Sequence, residues 1–215
     1  RFDIPSRAHM LIDEIGVRIV AGAAGGDCAL AALVREVRVE GKPRYDIDFS
    51  WERMELYSGL HREVSQFTFL KGVWALEDGR LAGSCADFGE CYTGDIRWTD
   101  YDLEGSLTCM CEGECALNVR VQGAIRSYAV ALKDGKMRIR KNENGYRTLA
   151  ECSHPTKLGE TYRIRVRAQG AAISVWEAGK LVLSVRDTDR PYLNGCVGCS
   201  VRDGARAVFD HLVIE

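Results

Sequence analysis

The 215-residue chain lacks several features that would assign it to a class at once. No apolar run approaches the roughly 18 to 20 residues that a membrane-spanning helix needs. The first ten residues, RFDIPSRAHM, have no apolar core of the kind found in a signal peptide. A formal net charge of −2 gives no electrostatic footprint for nucleic acid. We therefore expect a cytoplasmic globular protein whose partners include neither a membrane nor a nucleic acid.

Signals for catalysis are also missing. The four histidines share no spacing with a serine or cysteine nucleophile, so no catalytic triad is indicated. Glycoside hydrolysis needs two carboxyl groups roughly 5 to 10 Å apart, and the nearest grouping is formed by Asp95, Asp100, Asp102 and Glu104. The last three share one strand face, where outward carboxylates usually pair with arginines. We predict no catalytic residue, and hence no enzyme.

The nine cysteines allow two interpretations. Cys109, Cys111 and Cys115 could join Cys196 and Cys199 in a zinc site, although CxC with CxxC is a loose match to the usual ligand spacing. The favoured alternative places the cysteines at buried strand positions as small apolar residues, which is typical of a reducing cytoplasm. A disulfide framework is not expected in so large a core.

What the chain does have is a series of short apolar alternations between turn signals, and no long helical period. The alternation predicts strands at residues 16–21, 33–39, 66–69, 73–76, 100–107, 116–122, 127–132, 137–141, 161–167, 172–177, 181–185, 195–201 and 207–214. Three turns, at Asp134-Gly135, Asn144-Gly145 and Ala178-Gly179, predict hairpins. A short helical turn is expected within 26–34. We predict an all-β fold, a two-sheet antiparallel β-sandwich.

A change in composition near Pro43 to Trp51 indicates a boundary. We expect an N-terminal β segment at residues 1–48, which has too few strands to bury a core alone. It would be an extension of the sandwich, or the remnant of a preceding sandwich, and residues 49–215 would form the jelly roll. Because the chain begins at Arg1 without a methionine, we also expect a covalently linked upstream domain in a longer protein.

Residues 115–130, CALNVRVQGAIRSYAV, alternate strictly and predict one buried and one exposed face. Arg120 and Gln122 would lie on the exposed face. After the following turn, Arg126 and Tyr128 would return beside them on an antiparallel strand. A face with these side chains is typical of a sugar or anion site, and it is also typical of a solvated sheet. We predict these four residues as ligand-binding.

Three further features concern binding. Residues 116–170 contain twelve Lys or Arg against four Asp or Glu. Their outward arginines could receive an acidic glycan or a sugar phosphate, or could pair with acidic strands such as 100–104, which is the favoured alternative. Trp176 could stack on a pyranose ring, so we add it to the ligand-binding residues. Asp210 could hold a structural calcium ion, the one cofactor we consider.

Several runs carry a resemblance to a known family, across about residues 72–215. They are GVWALEDGRLAG, GECYTGDIRWTDYDLEGSL, NVRVQGAIRSYAVAL, GETYRIRVRAQGAAISVWEAGKLVLSVRD, GCVGCSV and VFDHLVI. Together they resemble the concanavalin A-like jelly roll of LamG and 3-keto-disaccharide hydrolase-like domains, including the C-terminal β-sandwich of some bacterial ADP-ribosylglycohydrolases. The resemblance implies a two-sheet sandwich whose curved face binds glycans in many relatives.

The resemblance does not extend to the catalytic motifs. The pattern Glu-x-Asp-x-x-Glu of laminarinase-like jelly rolls is absent, and so is the acidic magnesium cluster of an ADP-ribosylglycohydrolase catalytic domain. We therefore expect a non-catalytic carbohydrate-binding accessory module, whose partner is a carbohydrate or sugar-phosphate ligand. The alternatives are a glycoside hydrolase-like enzyme of the 3-keto-disaccharide type and a structural or assembly domain without a small-molecule ligand.

Overall fold

The computed structural model of the chain describes residues 33–34, 44–50 and 67–215, together with the backbone of strands 54–57 and 61–64. The strands predicted at 16–21 and 33–39, the helical turn at 26–34 and most of the N-terminal segment 1–48 therefore lie outside the described residues, apart from Leu33 and Val34. Within the described part, no helix is long and apolar enough to cross a membrane.

The described residues form seventeen strands. In chain order they are β1 Tyr45–Ile47, β2 Met54–Tyr57, β3 His61–Val64, β4 Thr68–Lys71, β5 Val73–Glu77, β6 Arg80–Ser84, β7 Phe88–Thr93, β8 Tyr101–Cys109, β9 Glu114–Gly123, β10 Arg126–Lys133, β11 Lys136–Glu143, β12 Tyr146–Ser153, β13 Thr161–Gln169, β14 Ala172–Glu177, β15 Lys180–Arg186, β16 Cys196–Arg202 and β17 Arg206–Ile214.

Two antiparallel sheets face each other across one core. The eight-stranded sheet has the order β15-β14-β13-β8-β17-β6-β5, with β1 paired to β17, and the seven-stranded sheet has the order β12-β11-β10-β9-β16-β7-β4. Strands β2 and β3 form a separate hairpin. The predicted two-sheet β-sandwich is confirmed.

Alternation along the strands builds the core. In β13, Tyr162, Ile164, Val166 and Ala168 are buried while the residues between them face outward. Residues 44–50 add to the same core, because Ile47 and the fully buried Phe49 pack within it.

Turn chemistry fixes the three predicted hairpins. Asp134 and Gly135 both have positive φ, at 53° and 68°, as a two-residue hairpin turn requires. A fourth turn of the same kind, at Asp78-Gly79, joins β5 to β6. The sequence contains that Asp-Gly signal, although the strand that follows it was not predicted.

The cysteines that the structure describes behave as small apolar residues. Cys91, Cys109, Cys115 and Cys199 are buried in the core. No group of three or more His, Cys, Asp or Glu side chains is placed to hold a metal ion anywhere in residues 67–215 or 44–50. The zinc ligands considered from the sequence, three cysteines near β8 and β9 and two on β16, therefore do not converge.

Candidate ligand-binding groove

Arg120 does not lie on an exposed face, so that prediction is wrong. A register shift in β9 and a φ of 53° at Arg120 interrupt the alternation, and the side chain is fully buried. Its guanidinium donates hydrogen bonds to the Leu193 carbonyl and, at 3.0 Å, to an Asp100 carboxylate oxygen. Arg120 therefore connects β9 to Leu193 and Asp100 by hydrogen bonds.

Gln122 and Tyr128 hold the same loop, residues 187–195, which we call the anchor loop. The Gln122 amide nitrogen donates to the Asn194 carbonyl at 2.9 Å. Tyr128 is buried rather than exposed, and its hydroxyl donates to Asp187 at 2.6 Å while accepting from the Tyr192 backbone N–H at 3.0 Å. Burial, followed by the hydrogen bond to Asp187, raises the pKa of Tyr128. The hydrogen-bonding groups of Gln122 and Tyr128 are thus used within the protein itself, in contacts with the anchor loop.

A buried lysine completes this anchor. The Lys141 ammonium is fully buried, donates to the carbonyls of Asp189 and Arg190 at 2.6 and 2.8 Å, and lies 2.8 Å from an Asp187 carboxylate oxygen. Of the four residues predicted around β9 and β10, only Arg126 is exposed. The structure therefore does not bring the four together as one accessible surface.

Trp176 lies on the outer face of the eight-stranded sheet, half-buried and away from β9 and β10. The guanidinium groups of Arg165 and Arg167 each lie 5.6 Å from its ring centre. Both arginines pair with Asp102 on β8, with Arg167 Nε at 2.8 Å, as the cross-strand alternative predicted. Asp210 lies in β17 opposite Ser106, outside any described cluster of metal-ligating side chains.

A different set of side chains, on the outer face of the seven-stranded sheet, forms a groove. Ala116, Ala129 and Ala131 come together on neighbouring strands β9 and β10, and the ring of Tyr146 packs on them. These small residues leave space above the sheet. Tyr146 follows the Asn144-Gly145 turn and is the first residue of β12.

The Tyr146 hydroxyl reaches far across this face. It donates to Glu90 Oε1 at 3.2 Å and lies 3.4 Å from both Asn118 Nδ2 and Ser127 Oγ. Glu90 is in β7, which is separated from β12 by four intervening strands. On a flat sheet, five strand spacings of about 4.8 Å would separate the two strands by about 24 Å. The seven-stranded sheet must therefore be strongly concave here.

Charged groups in the groove are arranged as two buried pairs. Arg140 donates to the Glu114 carboxylate, and Arg202 lies 3.6 Å from Glu90 Oε1. The side chains of Glu114 and Glu90 are only 3% and 1% exposed. The two guanidinium groups lie 5.0 and 4.5 Å from the centre of the Tyr146 ring, where a cation–π attraction adds to the ion pairs.

The groove encloses a cavity of about 410 Å³. Its lining includes Phe88, Ile125, Arg140, Asn142, Tyr146 and Arg202. Burial, followed by the nearby Glu90 charge, raises the pKa of Tyr146 to about 12, so its phenol is protonated and can donate. Apolar surface and directed polar groups are thus combined in a volume that suits a small ligand.

Most of this groove was missed by sequence reasoning. Arg140 was placed in the arginine-rich region, but Glu90, Glu114 and Tyr146 were not singled out. One signal was present, since the residues opposite the core face in β9 and β10 include Ala116, Ala129 and Ala131. Small side chains on an outward face mark a place where another group can lie close to the sheet.

No protein-family model and no curated protein sequence matches the chain. Solved structures of the same fold do match. A carbohydrate binding module, CBM66 from Bacillus subtilis, is 24% identical, with a TM-score of 0.64 over 70% of this chain and 95% of that one. A β-1,3-1,4-glucanase (lichenase) from a mouse hindgut metagenome is 13% identical, with a TM-score of 0.58 over 80% and 98%.

A GH43 protein from Bacillus licheniformis is 14% identical, with a TM-score of 0.56 over 78% of this chain and 38% of that one. The fold is thus that of a group of β-sandwiches that includes both carbohydrate-binding modules and glycosyl hydrolases. Nothing in these similarities supports the link to ADP-ribosylglycohydrolases that the sequence resemblance implied.

Proposed function

We propose that this domain binds a carbohydrate in the groove of the seven-stranded sheet and does not hydrolyse it. The observation that carries the proposal is the cavity of about 410 Å³, in which aromatic and apolar side chains meet directed polar groups. A sugar residue offers the complementary surface, because its C–H face is apolar and its edge carries hydroxyl groups. The similarity in fold to a carbohydrate binding module supports the same conclusion.

The position of the groove's carboxylates supports binding rather than hydrolysis. A glycosidase needs two carboxyl groups that flank the scissile bond. Here Glu90 accepts hydrogen bonds from Tyr92 and Tyr146, and Glu114 accepts one from Arg140. Neither glutamate lines the cavity. Both carboxylates are therefore held by protein partners, and they do not face each other across the cavity that is open with the Tyr146 ring in place.

We also propose that the domain is an accessory module of a larger protein. In the GH43 protein, only 38% of the chain is covered by the match, so this fold is there one part of a longer polypeptide. The cytoplasmic location, the linked domain and a calcium ion at Asp210 stay predictions.

Calorimetric titration with neutral oligosaccharides of β-glucan, mannan, xylan and fructan, and with oligogalacturonate as an acidic probe, tests the proposal. We expect at least one neutral oligosaccharide to bind. Phe88→Ala and Ile125→Ser, which change cavity-lining side chains that are half-buried and exposed, should weaken binding at least fivefold. Trp176→Ala, on the other sheet, is the matched control and should leave the affinity unchanged.

Three outcomes would contradict the proposal. In the first, the protein binds none of these oligosaccharides. In the second, Trp176→Ala loses binding while both groove variants bind like the wild type. In the third, incubation with the protein releases new reducing ends from a bound oligosaccharide. The first would favour a structural or assembly domain, and the last would favour a glycoside hydrolase.

A further inference from the structure

Beneath the ring of Tyr146 lies a second layer of polar groups. Asn118 and Ser200 are buried on neighbouring strands, and the Ser200 hydroxyl donates to Asn118 Oδ1 at 2.8 Å. Ser127 and Glu90 are also buried and lie within hydrogen-bond reach of the Tyr146 hydroxyl. Four polar side chains therefore converge on one phenol oxygen or its immediate neighbours.

The bonds that hold this phenol are long. At 3.2, 3.4 and 3.4 Å they exceed the 2.7 to 2.8 Å at which O–H···O bonds are usually found, or the roughly 2.9 to 3.0 Å typical of N–H···O bonds. Tight pairs elsewhere in the molecule, such as Tyr128 with Asp187 at 2.6 Å, show no such looseness. The Tyr146 hydroxyl thus has three partners, each at the long end of the hydrogen-bonding range.

Two arginines beside the ring are incompletely satisfied. Among the described residues, the Nε atoms of Arg140 and Arg202 are buried and have no hydrogen-bond partner, as is also the case for Arg120 Nε elsewhere on β9. A buried donor without a partner is destabilising, and native proteins rarely retain one without a reason. Both guanidinium groups lie close to the Tyr146 ring, and with the ring in this position neither Nε meets an acceptor among the described residues.

The backbone around Tyr146 permits the ring to move. β12 is the edge strand of its sheet, so Tyr146 has a strand partner on one side only, at Asn142 of β11. The preceding residues, Asn144 and Gly145, have φ values of 58° and 143° and end the turn. Rotation of this side chain away from the sheet would leave the main core intact, since the ring packs on the separate alanine cluster; the contacts given up are those with the alanines, the two arginines and the hydroxyl's hydrogen-bond partners.

We propose that the polar groups beneath Tyr146 form the inner part of the sugar site, and that the ring occupies this part until an incoming sugar residue displaces it. A sugar hydroxyl then takes the position of the phenol oxygen against Asn118, Ser127 and Glu90. Other hydroxyls of the same residue accept hydrogen bonds from the exposed Nε groups of the two arginines. This inference rests on the proposed function and specifies its site and ligand class.

The expected ligand is an uncharged sugar residue. Each arginine of the groove already faces a buried carboxylate, Arg140 with Glu114 and Arg202 with Glu90. Asp203 at the rim is paired with Lys133 at 2.7 Å. Since these charges neutralise one another, the groove offers directed hydrogen bonds rather than a net positive field, and a uronic acid or sugar phosphate would gain no counter-charge there.

The test compares Tyr146→Ala and Tyr146→Phe with the wild type in calorimetric titration with the best-binding neutral oligosaccharide. If the ring must be displaced, Tyr146→Ala should bind at least threefold more tightly, and Tyr146→Phe, which loses only the hydroxyl contacts, should lie between the two. Asn118→Ala should bind at least tenfold more weakly. A Tyr146→Ala variant that binds tenfold more weakly would overturn the inference, because the ring would then be a stacking platform.

A second measurement does not depend on the stability of the alanine variant. In protein labelled with 3-fluorotyrosine, the fluorine resonance missing from Tyr146→Phe identifies Tyr146. Saturating oligosaccharide should move this resonance towards that of a solvent-exposed tyrosine, and an unchanged resonance in the saturated complex would contradict displacement.

Stronger binding of oligogalacturonate than of every neutral oligosaccharide would contradict the ligand class. If the wild type binds none of the oligosaccharides, the proposed function itself fails, whereas wild-type binding with a weaker Tyr146→Ala variant overturns only this inference.

Discussion

Arginine–carboxylate pairs occur on the outer faces of both sheets, but they lie in different surroundings. On the eight-stranded sheet, Arg165 and Arg167 share Asp102, and their side chains are 39% and 44% exposed. In the groove of the seven-stranded sheet, Glu114 and Glu90 are almost fully buried against Arg140 and Arg202. Both faces pair arginines with carboxylates, whereas access to water differs, since Asp102 is 19% exposed against 3% and 1% for Glu114 and Glu90.

This difference decides what each face can do. On the exposed face, water replaces any partner that is removed, so the pairs neutralise the surface at little energetic cost. A second cavity of about 250 Å³ lies there, and two of its three arginines, Arg44 and Arg165, are already paired with acidic neighbours. In the groove, a carboxylate that loses its arginine has no water to replace it. The charged groups of the groove are therefore held in fixed pairs, whereas those of the exposed face are solvated.

Removing one arginine from each face should give the largest contrast. Arg140→Met leaves the buried Glu114 without its cation, and we expect a loss of about 3 to 5 kcal/mol in the free energy of unfolding. Arg165→Met on the exposed face should cost less than about 1 kcal/mol. Urea unfolding followed by circular dichroism measures both.

A double variant provides the control. Arg140→Met combined with Glu114→Leu removes both charges of the buried pair, so stability should recover relative to Arg140→Met alone. Equal losses in Arg140→Met and Arg165→Met would show that the two faces do not differ in the way their exposure indicates.

Much of the fold follows from local sequence patterns. Strand β14 begins and ends where alternation predicts it, at Ala172–Glu177, and every strand predicted after residue 66 has a counterpart. For three of the missed strands there are physical reasons. β6, RLAGS, and β7, FGECYT, contain glycine and small residues that blur the alternation, and β12 is an edge strand with mostly half-exposed residues. Periodicity detects strands that bury one face against the core.

The site was harder to predict, because it depends on which strands become neighbours. Glu90 and Tyr146 are 56 residues apart in the chain and meet only because the sheet is curved. Arg120 shows the opposite error, since a bulge invisible to a simple period of two turns it into the interior. Periodicity assigns a residue to a face, but it does not show whether another side chain covers that face.

The pH dependence of stability in acid should distinguish Asp187, at the start of the anchor loop, from Asp102 on the exposed face. Burial disfavours the charged form of Asp187, but hydrogen bonds from Lys141 and Tyr128 outweigh it and lower the pKa of Asp187 below its ordinary value. A carboxyl whose pKa is lower in the folded state adds stability above the unfolded pKa of roughly 4, and this stability is lost as the pH falls through the folded value. Asp187→Asn should therefore make unfolding less dependent on pH below roughly pH 4.

The matched variant is Asp102→Asn. Burial opposes ionisation at Asp102 too, and Arg167 and Arg165 lower its pKa overall. Urea unfolding at pH 2 to 6, with and without 0.5 M NaCl, compares the two carboxylates. Salt should weaken the contribution of Asp102 and leave that of Asp187 nearly unchanged, because screening acts mainly on exposed charges. An Asp187 contribution as salt-sensitive as that of Asp102 would contradict the burial of the anchor.

The smallest effect is expected at Arg163, an exposed residue of β13 at the cavity of the eight-stranded sheet. No ion pair involving Arg163 is present in the described part of the chain, so Arg163→Ala should change the free energy of unfolding by less than about 0.5 kcal/mol. It should also leave oligosaccharide affinity unchanged in calorimetric titration. A marked loss of affinity in this variant, with wild-type binding in Phe88→Ala, would mean that the exposed arginines recognise the ligand. The solvated face would then be the functional one, and the buried pairs of the groove would serve only stability.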